Sequence, residues 1–308
     1  MYDVIIIGGG PAGMTAGIYA ARRAIKTLIL TKDIGGQIST TNEVENYPGI
    51  DHIGGLELGM SMYNQAKKFG AEIKFEGVDT LTIDENNEFI VKTPSQEYLA
   101  QTVILCSGKK PGELNIPGEK KLRGKGVTYC ATCDAPFFKD KVVTVVGGGN
   151  SALDAALLMS KYASKVYLIH RRNEFRGEKV LIEKVQNEPK IETILEAEIV
   201  EIFGENKVES IKLLDNRSIN CDGVIIEIGY IVDRTLVENL LELDSKNHII
   251  VTPNQETSVP GIFAAGDITP TIYKQVVIAA GEGAKAALSS FDFIQHKLGK
   301  RGIAGDWH

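Results

Sequence analysis

Asp3-Val4-Ile5-Ile6-Ile7-Gly8-Gly9-Gly10-Pro11-Ala12-Gly13 opens the chain, and its reading decides the fold. A short apolar run that ends in glycines reads as a buried strand entering a tight turn. Gly8, Gly10 and Gly13 fit GxGxxG, and Met14 to Arg23 then reads as a helix, with a second apolar strand at Thr27 to Leu30. The first glycine permits the turn, the second lets backbone approach a pyrophosphate, and the third lets helix pack on strand. The helix N-terminus then offers free N–H groups and partial positive charge to an anion.

The same design recurs. Val142 to Val146 leads into Gly147-Gly148-Gly149-Asn150-Ser151-Ala152, then a helix-like Leu153 to Lys161 and a strand at Val166 to Ile169. A lone glycine fingerprint is weak evidence; two, each set between strand and helix, predict an α/β protein with two Rossmann-like nucleotide-binding domains. Segments 73–93 and 191–214 alternate like antiparallel strands, the first around the polar turn Asp84-Glu85-Asn86-Asn87. Turn formers near Pro111-Gly112-Glu113 and polar residues from Glu238 to Asp244 suggest boundaries. The expected division is therefore 1–112, 113–240 and 241–308, with the last part completing the first domain and the second domain inserted in it.

The 308 residues carry 34 basic and 40 acidic side chains, a net charge of −6. Phosphate neutralisation needs a basic excess, so a broad nucleic-acid-binding surface is not expected. No apolar run approaches the roughly 20 residues that span a bilayer. The N-terminus lacks a basic region ahead of its apolar run, so a signal peptide is not expected, and a cytoplasmic location is.

What each glycine loop binds depends on the end of its second strand. The second unit ends in His170-Arg171-Arg172, with Arg176 a helical turn further on. An acid there would accept from a ribose 2′-hydroxyl, whereas arginines suit a 2′-phosphate, so NADPH is expected over NADH. The first unit ends Leu30-Thr31-Lys32-Asp33, with no acid at the ribose position. Its fingerprint alone leaves FAD and a nicotinamide dinucleotide both open.

Cysteines stand at 106, 130, 133 and 221, too few for a disulfide scaffold. Zinc at Cys130-Ala131-Thr132-Cys133 would need two further ligands. A redox dithiol is the use that fits a C-x-x-C pair here. Disulfide exchange needs a thiolate and a proton for the leaving sulfur, and Asp134 stands beside the pair as a candidate general acid. A purely structural role for Asp134 is a cap on the following helical turn.

These residues together resemble the low-molecular-weight thioredoxin reductase family. The matches run in order along nearly the whole chain: GGGPAG from Gly8, GGQ from Gly35, VENYPG from Val44, CATCD from Cys130, GGGNSA from Gly147, HRRNEFR from His170, AAGD from Ala264 and YKQ from Tyr273. CATCD inside the second domain is the most specific of them. The resemblance implies that the first loop (Gly8, Gly10, Pro11, Ala12, Gly13) binds FAD. It adds Gly35, Gly36, Gln37, Asn46, Asp267 at the ribityl chain, and Lys274, Gln275 and Val276, where a helix N-terminus faces the flavin ring. It assigns NADPH to Gly147, Gly149, Asn150, Ser151, Ala152, His170, Arg171, Arg172 and Arg176. It implies that Cys133 approaches the flavin, Cys130 attacks the partner disulfide and Asp134 is the general acid. The implied partner is thioredoxin or a small redoxin, and the implied assembly a homodimer.

Because the implied nicotinamide site and the cysteine pair share one domain and the flavin lies in the other, two domain arrangements are expected to alternate by rotation. The sequence departs from the family at several points. Ala135-Pro136 stands where a glycine usually follows the aspartate, and Gly229-Tyr230-Ile231-Val232-Asp233-Arg234-Thr235 lacks the usual linker proline. Cys106-Ser107-Gly108 replaces the common Ala-Thr-Gly, and a tail from Gly299 to His308, with Trp307, runs past the usual end. The rival readings are a flavin dithiol oxidase, a reductase fed by ferredoxin or a deazaflavin, and a redox-inert flavin-binding protein.

Overall fold

A computed structural model describes residues 1–40 and 44–300, leaving aside the side chains of Thr40 and Cys133. Residues 301–308, Trp307 among them, lie outside the described residues. The chain divides into two units, Met1–Lys109 with Val232–His308, and Lys110–Ile231.

The first unit begins with β1 (Tyr2–Ile7), α1 (Pro11–Arg22) and β2 (Thr27–Thr31), followed by α2 (Gly55–Lys68) and β3 (Glu72–Phe75). A hairpin of β4 (Thr80–Ile83) and β5 (Phe89–Lys92) leads into β6 (Glu97–Leu105). The second unit then runs β7 (Lys110–Pro111), α3 (Glu119–Leu122), β8 (Val127–Thr128), α4 (Ala131–Asp134), β9 (Val142–Val146), α5 (Asn150–Ser160) and β10 (Lys165–Ile169). It continues with α6 (Lys179–Gln186), β11 (Ile191–Ile194), β12 (Ile199–Phe203), β13 (Ser210–Leu213), β14 (Ser218–Asn220), β15 (Gly223–Ile226) and β16 (Tyr230–Ile231). The chain returns to the first unit for β17 (Ile262–Ala264) and α7 (Val276–Lys297).

In the first unit the strands lie in the order β3-β2-β1-β6-β5-β4, with β17 beside β6. Strand β1 is parallel to both β2 and β6, so both its edges are hydrogen-bonded within the sheet. Val4 and Ile6 join the apolar cluster of α1, α2 and α7, while Ile5 and Ile7 join the opposite cluster. That period-two split across a wholly apolar run is what a central parallel strand requires. The second unit has a sheet ordered β11-β10-β9-β15-β8, all parallel, with a separate antiparallel sheet of β12, β13 and β14. This is the α/β architecture with two Rossmann-like units implied by the repeated strand–turn–helix.

Three expectations need correction in detail. Strands β3 and β11, read as antiparallel, each extend their sheet in parallel beside β2 and β10. Within those segments antiparallel pairing begins only later, at β4–β5 and β12–β13. The second chain crossing falls after Ile231 rather than at residue 240. The reason is burial: Val232, Val237 and Leu241 are core residues packed with Ile5 and Leu28 of the first unit. Among the described residues, no helix is long and apolar enough to cross a membrane.

Candidate functional site

In the first unit the candidate residues gather at the C-terminal ends of the parallel strands, where ligands bind in open α/β sheets. The turn after β1 has no room for side chains. Gly8 has φ +117°, and a Cβ on it would lie 2.2 Å from the Cys106 carbonyl oxygen. A Cβ on Gly13 would lie 1.9 Å from the carbonyl oxygen of Gly8. Gly10 is different: it caps α1 in an extended conformation, and a Cβ there would meet only the Gly35 carbonyl, at 3.8 Å. The first turn of α1 carries no acid and no side-chain cap. Its first N–H groups have no side-chain acceptor and the space at Gly10 is open, an arrangement that suits an anion.

The loop after β2 is stitched to this turn. Gly35 N–H donates to the Gly9 carbonyl (3.0 Å), and Gly36 N–H donates to Asp33 Oδ1 (3.1 Å). Asp33, a poor ribose candidate by position, shapes this loop. Gln37 Nε2 donates to the Lys109 carbonyl at 2.9 Å. Asn46 Nδ2 donates to Gln275 Oε1 at 3.1 Å, so two expected flavin-site residues 229 positions apart meet. Lys274 Nζ donates to the carbonyls of Asp267 (3.2 Å) and Thr269 (2.8 Å). Burial, then the Lys109 charge, hold its pKa below the usual lysine value.

Glu282, which the sequence reading passed over, holds this region together. It is buried within α7 and accepts hydrogen bonds from Gly266 N–H (2.7 Å), Thr269 Oγ1 (3.3 Å) and the Thr271 hydroxyl. It thereby ties the Asp267 loop to α7. One residue on, a Cβ at Gly283 would lie 2.0 Å from the Ala12 carbonyl, so α7 presses on the start of α1. The sequence signal was an acid inside a run of alanines and glycines. Cys106 is buried beside Gly8, and burial pushes its thiol far above the ordinary range.

The second unit repeats the geometry. Gly147 has φ +152°, and a Cβ on it would lie 2.2 Å from the Glu227 carbonyl oxygen, whereas nothing stands within 4 Å of a Cβ on Gly149. Gly149 caps α5 in an extended conformation, without a side-chain cap. Asn150 is engaged sideways: its Nδ2 donates to Glu178 Oε1 (3.0 Å), and its Oδ1 accepts from Glu178 N–H (2.8 Å). Ser151 is exposed and Ala152 buried.

His170 lies at the end of β10, buried under Gly148 and stacked on Phe175 at 5.7 Å. Its Nε2 is buried and, among the described residues, has no hydrogen-bond partner. Burial, and then the charges of Arg176, Arg172 and Arg171, depress its pKa. The guanidiniums are thus close enough to act on one imidazole. All three are exposed, and among the described residues none has a salt-bridge partner. Arg176 N–H donates to the Gly148 carbonyl at 2.7 Å, fixing this segment to the glycine turn. An unsatisfied buried nitrogen and unpaired arginines beside an open helix N-terminus fit a phosphorylated dinucleotide.

The cysteine segment leaves the sheet at the end of β8. Cys130 is disulfide-bonded, while Cys106 and Cys221 are free thiols. The side chain of Cys133 lies outside the described residues. Asp134 ends α4 and precedes a 3₁₀ turn over Ala135–Phe138, but its side chain makes no capping hydrogen bond. It lines instead a cavity of about 360 Å³ with Phe137, Lys125, Lys141 and Lys207. Ala135-Pro136, where relatives were expected to carry glycine, forms the start of that 3₁₀ turn.

Glu119 is a second residue the sequence reading missed. It is fully buried and accepts from the N–H groups of Leu114 (2.9 Å), Asn115 (2.6 Å) and Ile116 (3.4 Å) and from Tyr129 Oη (2.7 Å). One carboxylate thus joins the chain entering the unit to the residue before Cys130. The two crossing segments also pair: β16 is antiparallel to β7, and Gly112 N–H donates to the Gly229 carbonyl at 2.8 Å.

Comparison with known proteins places these features. The profile of the pyridine nucleotide-disulphide oxidoreductase family matches residues 2–283. A thioredoxin reductase of Bacillus subtilis is 41% identical over 302 residues, 96% of this chain and 95% of that one. The crystal structure of Lactococcus lactis thioredoxin reductase in its FR conformation superposes with a TM-score of 0.82 at 34% identity, covering 96% of this chain and 100% of that one. The T. acidophilum thioredoxin reductase gives a TM-score of 0.78 at 35% identity, covering 96% and 99%. With a fold matched along nearly its whole length and a C-x-x-C segment on its second nucleotide-binding unit, the chain belongs to the pyridine nucleotide-disulphide oxidoreductase family, among the low-molecular-weight thioredoxin reductases.

Proposed function

We propose that this chain reduces the disulfide of thioredoxin, or of a thioredoxin-like protein, with electrons from NADPH. The observation that carries the reading is a disulfide-bonded Cys130 on the same unit as a glycine turn flanked by unpaired arginines. The chemistry supplied by the bound groups is hydride donation from NADPH and two-electron relay by FAD.

In this reading the α1 N-terminus and the backbone of Gly8, Gly10, Pro11, Ala12 and Gly13 hold the FAD pyrophosphate. Gly35, Gly36, Gln37 and Asn46 hold the rest of the cofactor with Lys274, Gln275 and Val276, and Asp267 binds the ribityl chain. The N-terminus of α7 favours negative charge on the isoalloxazine ring. Gly147, Gly149, Asn150, Ser151 and Ala152 hold the NADPH pyrophosphate, with His170 beside it. Arg171, Arg172 and Arg176 hold the 2′-phosphate. With FAD bound, Cys133 would be the cysteine that receives electrons from it, and Cys130 as a thiolate would attack the partner disulfide. Cys133 then resolves the mixed disulfide, and Asp134 moves the proton that the leaving sulfur needs.

Two domain arrangements alternate between these half-reactions, turning at the segments joined through β7 and β16. The protein works as a homodimer in the cytoplasm.

Neutral replacements of Arg171, Arg172 and Arg176 are expected to raise the KM for NADPH far more than that for NADH. Each charge-assisted hydrogen bond contributes about 1.5–3 kcal/mol, roughly 10- to 150-fold. Equal effects on both would show that no phosphate is read there. Cys133→Ser is expected to leave the flavin reducible by NADPH while abolishing thioredoxin reduction, as followed by flavin bleaching and thiol release. Retained turnover would contradict the role given to Cys133, and loss of bleaching as well would place the defect upstream of the disulfide. An engineered cross-link that locks the two units should stop steady-state turnover, and undiminished turnover in the locked protein would rule out the rotation.

A further inference from the structure

Glu227 follows the last residue of β15, the strand that lies between β9 and β8. The turn after β9 carries the dinucleotide glycines, and the chain after β8 carries Cys130. The register aligns Ile226 with Val146, and Ile225 with both Val145 and Thr128. Glu227 therefore stands at the strand end between the two. Its carbonyl oxygen closes the space over Gly147, its N–H donates to the Val146 carbonyl (2.8 Å), and the Ala131 N–H stabilises its carboxylate. Ala131 is the residue after Cys130, so this acid addresses the cysteine segment itself.

Among the described residues, no cationic side chain acts on its carboxyl. Its surroundings on β16 supply Tyr230, whose phenol is pushed up by burial and by the charge of Glu227. The segment of α4 supplies the disulfide-bonded Cys130 and, at its end, Asp134. The turn Gly147–Gly149 has no ionisable side chain. Burial pushes the Glu227 carboxyl up to about 7, with only the Ala131 N–H pulling the other way. A half-buried acid without a cation, beside a reactive pair, is costly unless its proton is used.

We propose that Glu227 is a positioning residue of the dithiol site, a second proton-holding carboxyl that acts through the Ala131 amide and sets how readily Cys130 becomes a thiolate. The inference rests on the reading of Cys130 as the redox cysteine. Reduction of the disulfide breaks one S–S bond, adds the two electrons that NADPH supplies, and takes up two protons. With Glu227 protonated, the Ala131 N–H is free to support a thiolate at Cys130. With Glu227 ionised, its charge opposes that thiolate and occupies the amide. Ionisation of Glu227 thus raises the pKa of the Cys130 thiol, so above neutral pH its thiolate grows less with pH than it would beside a neutral side chain.

The test uses the cofactor-loaded protein, reduced with dithiothreitol and desalted so that NADPH activity is not needed. The alkylation rate of Cys130 by iodoacetamide is followed by peptide mass from pH 5.5 to 9, in the native protein, Glu227→Gln and Glu227→Asp. The carboxyl is neutral below about pH 7, so the isosteric amide introduces no new buried charge and the variant is expected to fold. Native and Glu227→Gln rates should agree within about twofold at pH 6. The Gln variant should be about 3–10-fold faster at pH 8, since a unit shift in a thiol pKa changes its thiolate about tenfold. Glu227→Asp should keep the native profile shape. A constant ratio at all pH values, or no difference, would overturn the proposal. Failure of the native protein to pass electrons from NADPH to thioredoxin would instead count against the functional reading, whatever the alkylation profile.

Discussion

After β1 and after β9 the strand ends so close to neighbouring backbone that no side chain fits. A Cβ on Gly8 would sit 2.2 Å from the Cys106 carbonyl oxygen, and a Cβ on Gly147 would sit 2.2 Å from that of Glu227. Both clashes are with backbone of the adjacent strand's end, which cannot move without breaking the sheet. The glycines let each chain turn sharply and start a helix over the strand ends, with the cap position, Gly10 or Gly149, left open. That constraint produces two turns whose open helix N-termini suit the anionic pyrophosphate of a dinucleotide.

Around the cradles, the work of assembly falls to buried carboxylates. Glu282 gathers the Asp267 loop onto α7, and Glu119 gathers the entering chain onto Tyr129 just before Cys130. Each is satisfied by several donors, which is how a buried charge is tolerated. Glu227 lacks that satisfaction, and its proton affinity is raised accordingly. Glu119 and Glu282 fix geometry through the donors that they gather, whereas burial raises the proton affinity of Glu227 to near neutral pH.

Much of this was readable from residues alone, for physical reasons. Val4 to Ile7 puts apolar side chains on both faces, and Val142 to Val146 does so with Thr144 as its one polar residue, a pattern that a central parallel strand asks for. The cluster of arginines after β10 was legible as a cluster, and the structure sets all three close enough to depress the pKa of His170. Parallel pairing of β3 and β11 was not legible, since an edge strand alternates alike whichever way its neighbour runs. The crossing at 231/232 was hidden because Glu238 to Asp244 look like a linker, while Val237 and Leu241, four apart, turn into the core. Glu119, Glu282 and Glu227 are single acids whose meaning lies in backbone groups brought together only by folding.

The central claim is that electrons from a nicotinamide end on the Cys130 pair. The direct measurement adds one equivalent of NADPH to the flavin-loaded protein without oxygen, quenches with an alkylating reagent, and counts newly modified cysteines by mass. The account predicts two new modifications, at positions 130 and 133, with Cys106 and Cys221 unchanged from the untreated protein. A flavin that bleaches while neither position becomes alkylated would contradict it.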